Sequence, residues 1–462
     1  MNPPPRLQPE KPSLLRRIWQ SIFPIPIIPR TEQDRRRTFF TYLVLHFRPA
    51  TLPEKTLKFS LSWGLGGMAA VLVGLQIGTG LLLKFVYEPS ATAAYESVRV
   101  VMLEVPFGLL VRNLHHWCAN LLVLVAFLHM LRVFFTGGFH PPRQFNWIIG
   151  LTLFAVVLAA NLTGYLLPWD QLSFWAVTVS TGMLEYIPGI GLALQKTIRG
   201  GAEIGPATLR IFYAVHTAIV PLVLGLLMAF HFWRIRKAGG LVVPRGPEEE
   251  PDPNPVRVPV LPNLLVREAT VAAVLIAVVM LLAILFDAPL AEPANAGLSP
   301  NPTKAPWYFS GLQELLLHLH PIFAVFVIPA LAACGLVCIP YLNYDKTVGG
   351  TWFVSRYGRR TAIQATVAGF FITPVLIGID DWIIKPESGL IDLPAYIGRG
   401  LMPAALLLLA AFGAYRVVKG RGSDHRSEAV QAVFVLMAAA FIVLTITGWW
   451  FRGESMLLAW PW

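Results

Sequence analysis

Arg112-Asn-Leu-His115-His-Trp-Cys-Ala-Asn-Leu-Leu-Val-Leu-Val-Ala-Phe-Leu-His129-Met-Leu-Arg132 is an apolar run that carries two histidines 14 residues apart. A second apolar run, entered at Phe212-Tyr-Ala-Val-His216 and ending near His231, carries two more at a spacing of 15. On an α-helix, 14 residues rise about 21 Å, and the spacing is close to four whole turns. Each pair therefore points to one side of its helix, with its members near opposite faces of a bilayer. Two such helices facing each other form two stacked His/His pairs. That geometry suits two non-covalent b-type haems, each iron held axially by two imidazoles. The alternative is four interfacial or hydrogen-bonded core histidines. Ionisable side chains inside membrane segments are costly and point first to function.

The surrounding composition agrees with a membrane setting. Of 462 residues 55% are hydrophobic and 14% are charged, against about a quarter charged in a soluble domain. Nine spans are expected, near 59–86, 110–135, 146–168, 209–233, 266–287, 319–341, 361–383, 397–418 and 429–451. Lipid leaves backbone groups no outside partner, so the fold class is all-α: a polytopic membrane protein with a dihaem four-helix bundle plus C-terminal helices. Arg35, Arg36 and Arg37 precede the first span. Basic residues also follow the even spans: Arg143, then Arg234, Arg236, Lys237 and Arg245, then Arg356, Arg359 and Arg360, then Lys419, Arg421 and Arg426. This pattern predicts a cytoplasmic N-terminus and an outer C-terminus. The net charge of +11 then reads as topology and contact with the lipid membrane, with no nucleic acid as partner. No cleaved leader is expected.

The chain divides into a cytoplasmic segment, 1–58, with an amphipathic piece at Leu14–Phe23; a four-span core, 59–237; a basic, Pro-rich connector, 238–262; a three-span unit, 263–385; and two further spans within 386–462, for which packing is the expected role. No Cys-x-x-Cys-His is present, so no c-type haem attachment is encoded. Cys334 and Cys338 read as small core residues of one helix, and Cys118 lies near His115.

Glycines repeat the histidine rhythm. Gly66 and Gly80 are 14 apart on the first span, and Gly150 and Gly164 are 14 apart on the third. A glycine lets a flat macrocycle approach the backbone, although small residues also serve plain helix packing. Arg112 and Arg132 flank the second span and suit haem propionates, since Arg binds carboxylates in bidentate fashion.

These residues resemble the cytochrome b subunit of quinol-oxidising cytochrome bc complexes. Arg112-Asn-Leu-His115 with His129-Met-Leu-Arg132 is similar to that family's second helix. Gly164-Tyr-Leu-Leu-Pro-Trp169-Asp-Gln171 is similar to the end of the third, and Phe212-Tyr-Ala-Val-His216 with His231 to the fourth. The 15-residue step and the Pro-Trp-Asp-Gln string resemble the photosynthetic-type branch, whose two cytochrome b subunits are here fused. The resemblance implies that His115 and His216 ligate an outer haem and His129 and His231 an inner one. It implies a quinol between Tyr165–Gln171 and Trp307–Tyr308, two protons released outside, and bifurcated electrons. One electron would go to a Rieske-type iron–sulfur protein and onward to a c-type cytochrome, the other across the membrane, in a dimeric complex of a bacterial inner membrane.

Three departures matter. The cysteine that carries an extra covalent haem in photosynthetic-type members is Gly64 here, so that haem is not expected. The family's Pro-Glu-Trp-Tyr is Ala305-Pro306-Trp307-Tyr308, without its proton-accepting glutamate, which loosely suits menaquinone. Glu314 is the favoured substitute, with Asp170, His318 and His320 behind it and Tyr308 beside the quinol. The last two spans exceed the usual number. A multihaem cytochrome as redox partner, or a haem-bearing anchor or transporter without quinone chemistry, are the alternatives.

Overall fold

The structure is a computed structural model that describes residues 13–22, 51–246, 249–250, 252–344, 349–384, 393–420 and 425–460. Arg35–Arg37, Phe23, Arg421 and part of 386–394 lie outside the described residues. The helices run α1 (Leu14–Ile22), α2 (Leu65–Lys84), α3 (Ala94–Leu103), α4 (Gly108–Phe135), α5 (Gln144–Tyr165), α6 (Gln171–Gly182), α7 (Gly191–Arg199), α8 (Pro206–Lys237), α9 (Val260–Leu285), α10 (Trp307–His318), α11 (Phe323–Tyr341), α12 (Arg356–Ile384), α13 (Ile397–Gly420) and α14 (Arg426–Trp450). The fold is all-α and polytopic. Among the described residues nine of these helices, α2, α4, α5, α8, α9 and α11–α14, are long and apolar enough to cross a bilayer.

The first span starts later than its hydropathy suggests. Trp63 and Gly64 both adopt left-handed backbone, φ 49° and 69°, and turn the chain before α2. At Gly64 a Cβ would stand 2.9 Å from the Val271 side chain of α9, so glycine fits both the turn and the close approach.

The core of the bundle is a band of interlocked aliphatic side chains. Leu65, Leu72 and Val73 of α2 meet Cys118, Leu122, Val123 and Val125 of α4, Val157 of α5, Leu224 of α8, and Leu275 and Val279 of α9. Cys118 is one of the small residues that let these helices close. Cys334 and Cys338, expected in a core, are exposed on α11. A thiol is apolar enough to face lipid, so the outer face accepts it.

The connector is tied to the start of the bundle. Thr51–Pro53 pairs antiparallel with Arg257–Pro259, and the Arg257 guanidinium donates to the Thr51 carbonyl at 2.8 Å. On the same side, α1 is docked by its polar edge. Arg17 donates to Asn343 Oδ1 at 2.5 Å, and Arg234 donates to the Ser21 carbonyl. Leu15 and Trp19 are left exposed, as on a helix lying in a membrane interface.

The last two helices are not a loose appendage. Gly311 of α10 lies against Phe441 and Thr445 of α14, Gly369 of α12 lies against Leu436 and Ala439, and Gly448 lies against Ser310. Small residues on three helices bring α14 into backbone contact with α10 and α12. Glu428, in the first turn of α14, is buried and accepts a hydrogen bond from Ser355 Oγ at 2.5 Å, beside the N-terminus of α12. A carboxylate there meets the positive end of the helix.

Candidate cofactor site

α4 and α8 face each other across the bundle, with α2 and α5 closing the two sides. Each of the four histidines abuts one of the four glycines. A Cβ on Gly80 would lie 3.1 Å from the His115 ring, and one on Gly164 would lie 2.5 Å from the His216 ring. At the other depth, a Cβ on Gly66 would lie 3.2 Å from His129, and one on Gly150 would lie 3.6 Å from His231. The in-phase repeat is thus realised as four notches, each opposite one imidazole.

The His115 and His216 ring centroids are 6.1 Å apart and nearly perpendicular, at 77°. Metal–imidazole bonds are about 2 Å, so the separation suits one metal ion between the rings. Their far nitrogens are held by neighbouring helices. Thr79 Oγ1 lies 2.9 Å from His115 Nδ1, and Gln76 Nε2 donates to the His115 carbonyl at 2.7 Å. His216 Nδ1 lies 3.1 Å from the Ala160 carbonyl and 3.3 Å from Thr163 Oγ1. When Nδ1 is engaged in this way, Nε2 is left as the ligand atom. Thr79 and Thr163 escape a reading of the histidines alone, yet each immediately precedes its notch, in Thr79-Gly80 and Thr163-Gly164.

The His129/His231 pair differs. His129 Nδ1 is buried with no hydrogen-bond partner. Nearby Arg132 donates Nε to the Leu61 carbonyl at 2.5 Å, while its Nη2 is buried and unpartnered. An orphaned guanidinium nitrogen one turn from His129 fits the carboxylates of a haem. Arg112, one turn before His115, donates to the carbonyls of Ala288 and Pro289, both at 2.7 Å. It therefore also fastens the chain that leaves α9.

The unequal spacings, 14 on α4 and 15 on α8, are reconciled by a local change of helix. Val215–Ile219, which includes His216, is a π-helical turn, and Pro221 follows it. A π turn accommodates one extra residue. Fifteen residues on α8 thereby reach the depth that fourteen reach on α4.

Between the two histidine depths, Trp307 donates its indole N–H to Asn120 Oδ1 of α4 at 2.7 Å. Burial, and then the adjacent Tyr165, push the Tyr308 phenol above its ordinary range. Tyr165, Trp307 and Tyr308 are therefore brought together. Asp170 is not free beside them. Its Oδ1 accepts from the Ser173 amide and its Oδ2 from the Ala291 amide, both at 2.9 Å. Both oxygens serve backbone groups, so Asp170 caps α6 and pins the loop after α9 instead of standing ready for a proton. Gln171 does similar work, accepting from the Asn295 amide at 2.7 Å.

Glu314 also has an unexpected setting. It is fully buried, and Arg452, just beyond α14, donates Nε to both of its oxygens at 3.0 and 3.1 Å and Nη2 to Oε1. Arg452 Nη1 donates to Asp381 Oδ2 at 2.7 Å, and His318 bridges Glu314 Oε1 at 3.1 Å and Asp380 Oδ2 at 2.6 Å. Burial alone would raise the Glu314 carboxyl, but His318 and Arg452 outweigh it and hold it below the ordinary carboxylate range. A carboxylate held as an anion in an ion pair is a poor proton acceptor. Burial disfavours the charged form of His318, yet Asp380 and Glu314 outweigh that and raise it to about 9. His320, the remaining substitute, stands apart, packed edge-on to Phe323 and Tyr396.

Comparison with known proteins agrees with this arrangement. The family model described as Cytochrome b/b6/petB matches residues 53–239. Cytochrome b6 of Acaryochloris marina is 42% identical over 175 residues, 38% of this chain and 81% of the relative. The figures are the same for cytochrome b6 of Mastigocladus laminosus. The chain belongs to the cytochrome b/b6 family. Cytochrome b6 of Bigelowiella natans is 43% identical over 180 residues, 39% of this cytochrome b and 84% of the relative. A chain of a solved structure titled "Hyperthermophilic respiratory Complex III" superposes with TM-score 0.62 at 25% identity, over 84% of this cytochrome b and 97% of that chain. The structural likeness therefore extends well beyond the region that the family model covers. This is a haem-binding membrane cytochrome of quinol-linked electron transport.

Proposed function

We propose that this cytochrome b is the dihaem, quinol-oxidising subunit of a bc-type complex in a bacterial inner membrane, with its N-terminus in the cytoplasm. The observation that carries the reading is the set of four histidine–glycine notches, two at each depth. His115 and His216 hold the outer haem, and His129 and His231 hold the inner one. Arg132, with its unpartnered Nη2, neutralises a propionate, while Arg112, whose Nη1 and Nη2 serve the Ala288 and Pro289 carbonyls, holds the chain after α9. Two b haems, when bound, supply one-electron transfer across the bilayer.

The residues of the chain supply binding and orientation for the quinol. Tyr308 and Tyr165 present phenols at the outer pocket. Trp307, locked to Asn120, forms its apolar wall. Asp170 and Gln171 hold the loop after α9 through the Ala291 and Asn295 amides. The conformation of that loop belongs to the protein surface where an iron–sulfur partner of Rieske type, with a c-type cytochrome beyond it, would dock, in a dimeric complex. The similarity to a chain of a respiratory Complex III supports such a multi-subunit setting.

The test is quinol-driven reduction of the purified complex. A menaquinol analogue should reduce both haems of the wild type. His129→Leu should lose one haem and leave the outer one reducible. Loss of both haems, or no reduction of the wild type by quinol, would contradict the reading.

A further inference from the structure

We propose that Arg452 is a positioning residue of the outer quinol site, which clamps the far end of α10 and so makes the last membrane helix, α14, part of the reaction unit. The proposal deepens the quinol-oxidising function above and rests on it.

α10 carries Trp307 and Tyr308 at its start and Glu314 and His318 in its last turns. Its start is tied to the haem bundle through the bond from Trp307 to Asn120. Its approach is fixed by Gln313, which accepts from the Ala305 amide at 2.8 Å and donates to the Thr303 carbonyl at 2.7 Å. Its far end is held by Arg452 through Glu314, and Arg452 also reaches Asp381 at the end of α12 and the Met456 carbonyl at 3.1 Å. One guanidinium thus joins α10, α12 and the chain leaving α14. A rod fastened at two ends neither slides nor turns. Without the fork, His318 still reaches Asp380 and Gly311 still packs on α14, but no planar donor pair fixes the angle of the far end, and Tyr308 follows any rotation of the helix that this allows.

Stability alone is a weak reason for such a cluster. Taking these charges out of water is costly, and well-packed apolar groups commonly serve as well. What a forked arginine adds is geometry, because its planar donors fix the angle and distance of a carboxylate. The Gly311 and Gly448 contacts place α14 close enough for that fork to reach.

The purified complex provides the test, using a menaquinol analogue. The variant Arg452→Met with Glu314→Leu removes the clamp without leaving a lone buried charge. It should keep both haems and their dithionite-reduced spectrum, while kcat/KM for quinol falls about 10²-fold, the scale of an error near 1 Å in placement. Arg452→Lys keeps the charge but not the fork. It should also keep both haems, with a smaller fall in kcat/KM. Wild-type kcat/KM in the double variant would show that Arg452 only neutralises Glu314, and would overturn the proposal. So would wild-type kcat/KM in Arg452→Lys. Failure of the wild type itself to oxidise quinol would instead remove the function on which the proposal rests.

Discussion

The His115/His216 pair, proposed as outer, and the His129/His231 pair, proposed as inner, have the same residues, the same depths relative to their glycines and different neighbours. Outside, Thr79 and Thr163 meet His115 and His216 at Nδ1. Inside, Leu65 and Ile149 occupy the corresponding places before Gly66 and Gly150, and His129 Nδ1 has no partner. Hydrogen bonding at the far nitrogen fixes the ring and raises its basicity as a ligand. The outer ligands are thus oriented by the protein before any metal arrives, whereas His129 takes its orientation from packing. Two sites that look duplicated in sequence are built to different tolerances.

The largest difference is expected at the notches. Gly164→Ala puts a Cβ 2.5 Å from the His216 ring, whereas Gly150→Ala puts one 3.6 Å from His231. The first must displace its ligand, at about 1–3 kcal/mol for overpacking, and the second meets an ordinary contact. Gly164→Ala should lose the outer haem, measured by redox titration of the α-bands, and Gly150→Ala should keep the inner one. Equal losses would erase the distinction.

A smaller effect is expected from the hydroxyls. Thr79→Val removes the Nδ1 partner of His115 and should weaken outer haem retention by about 10–100-fold, whereas Thr163→Val leaves the Ala160 carbonyl on His216 Nδ1 and should weaken it less, both read by haem transfer to an acceptor apoprotein. The inner haem of the same variants is the internal control. A shift of the inner haem instead would mean that the pairs are assigned to the wrong depths.

The smallest effect lies away from both pairs. The raised pKa of His318 gives a stabilisation fully present below about pH 6.5, its unfolded value, and lost as pH rises through about 9. The charged groups that face it are Glu314, Asp380, Asp381 and Arg452. The thermal midpoint of the complex should fall between pH 6.5 and 9. His318→Gln should flatten that fall without altering the relative retention of the two haems.

Much of this was legible in the sequence because its causes are local or periodic. The nine spans follow from apolar length, and the notches follow from glycines in step with histidines. The π turn at His216 was hidden because a one-residue difference in spacing does not say where the extra residue is absorbed. The late start of α2 was hidden because Trp63 carries no signal of left-handed backbone. Glu314 reads as an available base because its partner Arg452 lies 138 residues away, just past a helix whose apolar run predicts only a membrane crossing. Asp170 was read as reactive because the Ala291 amide that occupies it comes from a distant loop.

The central claim is that four histidines on α4 and α8 hold two haems. The most direct measurement is haem stoichiometry of the purified chain by pyridine haemochrome, with extraction into acidified acetone. The account predicts two b-type haems per polypeptide, both extracted. One haem or none per chain, or haem that stays with the polypeptide, would contradict it.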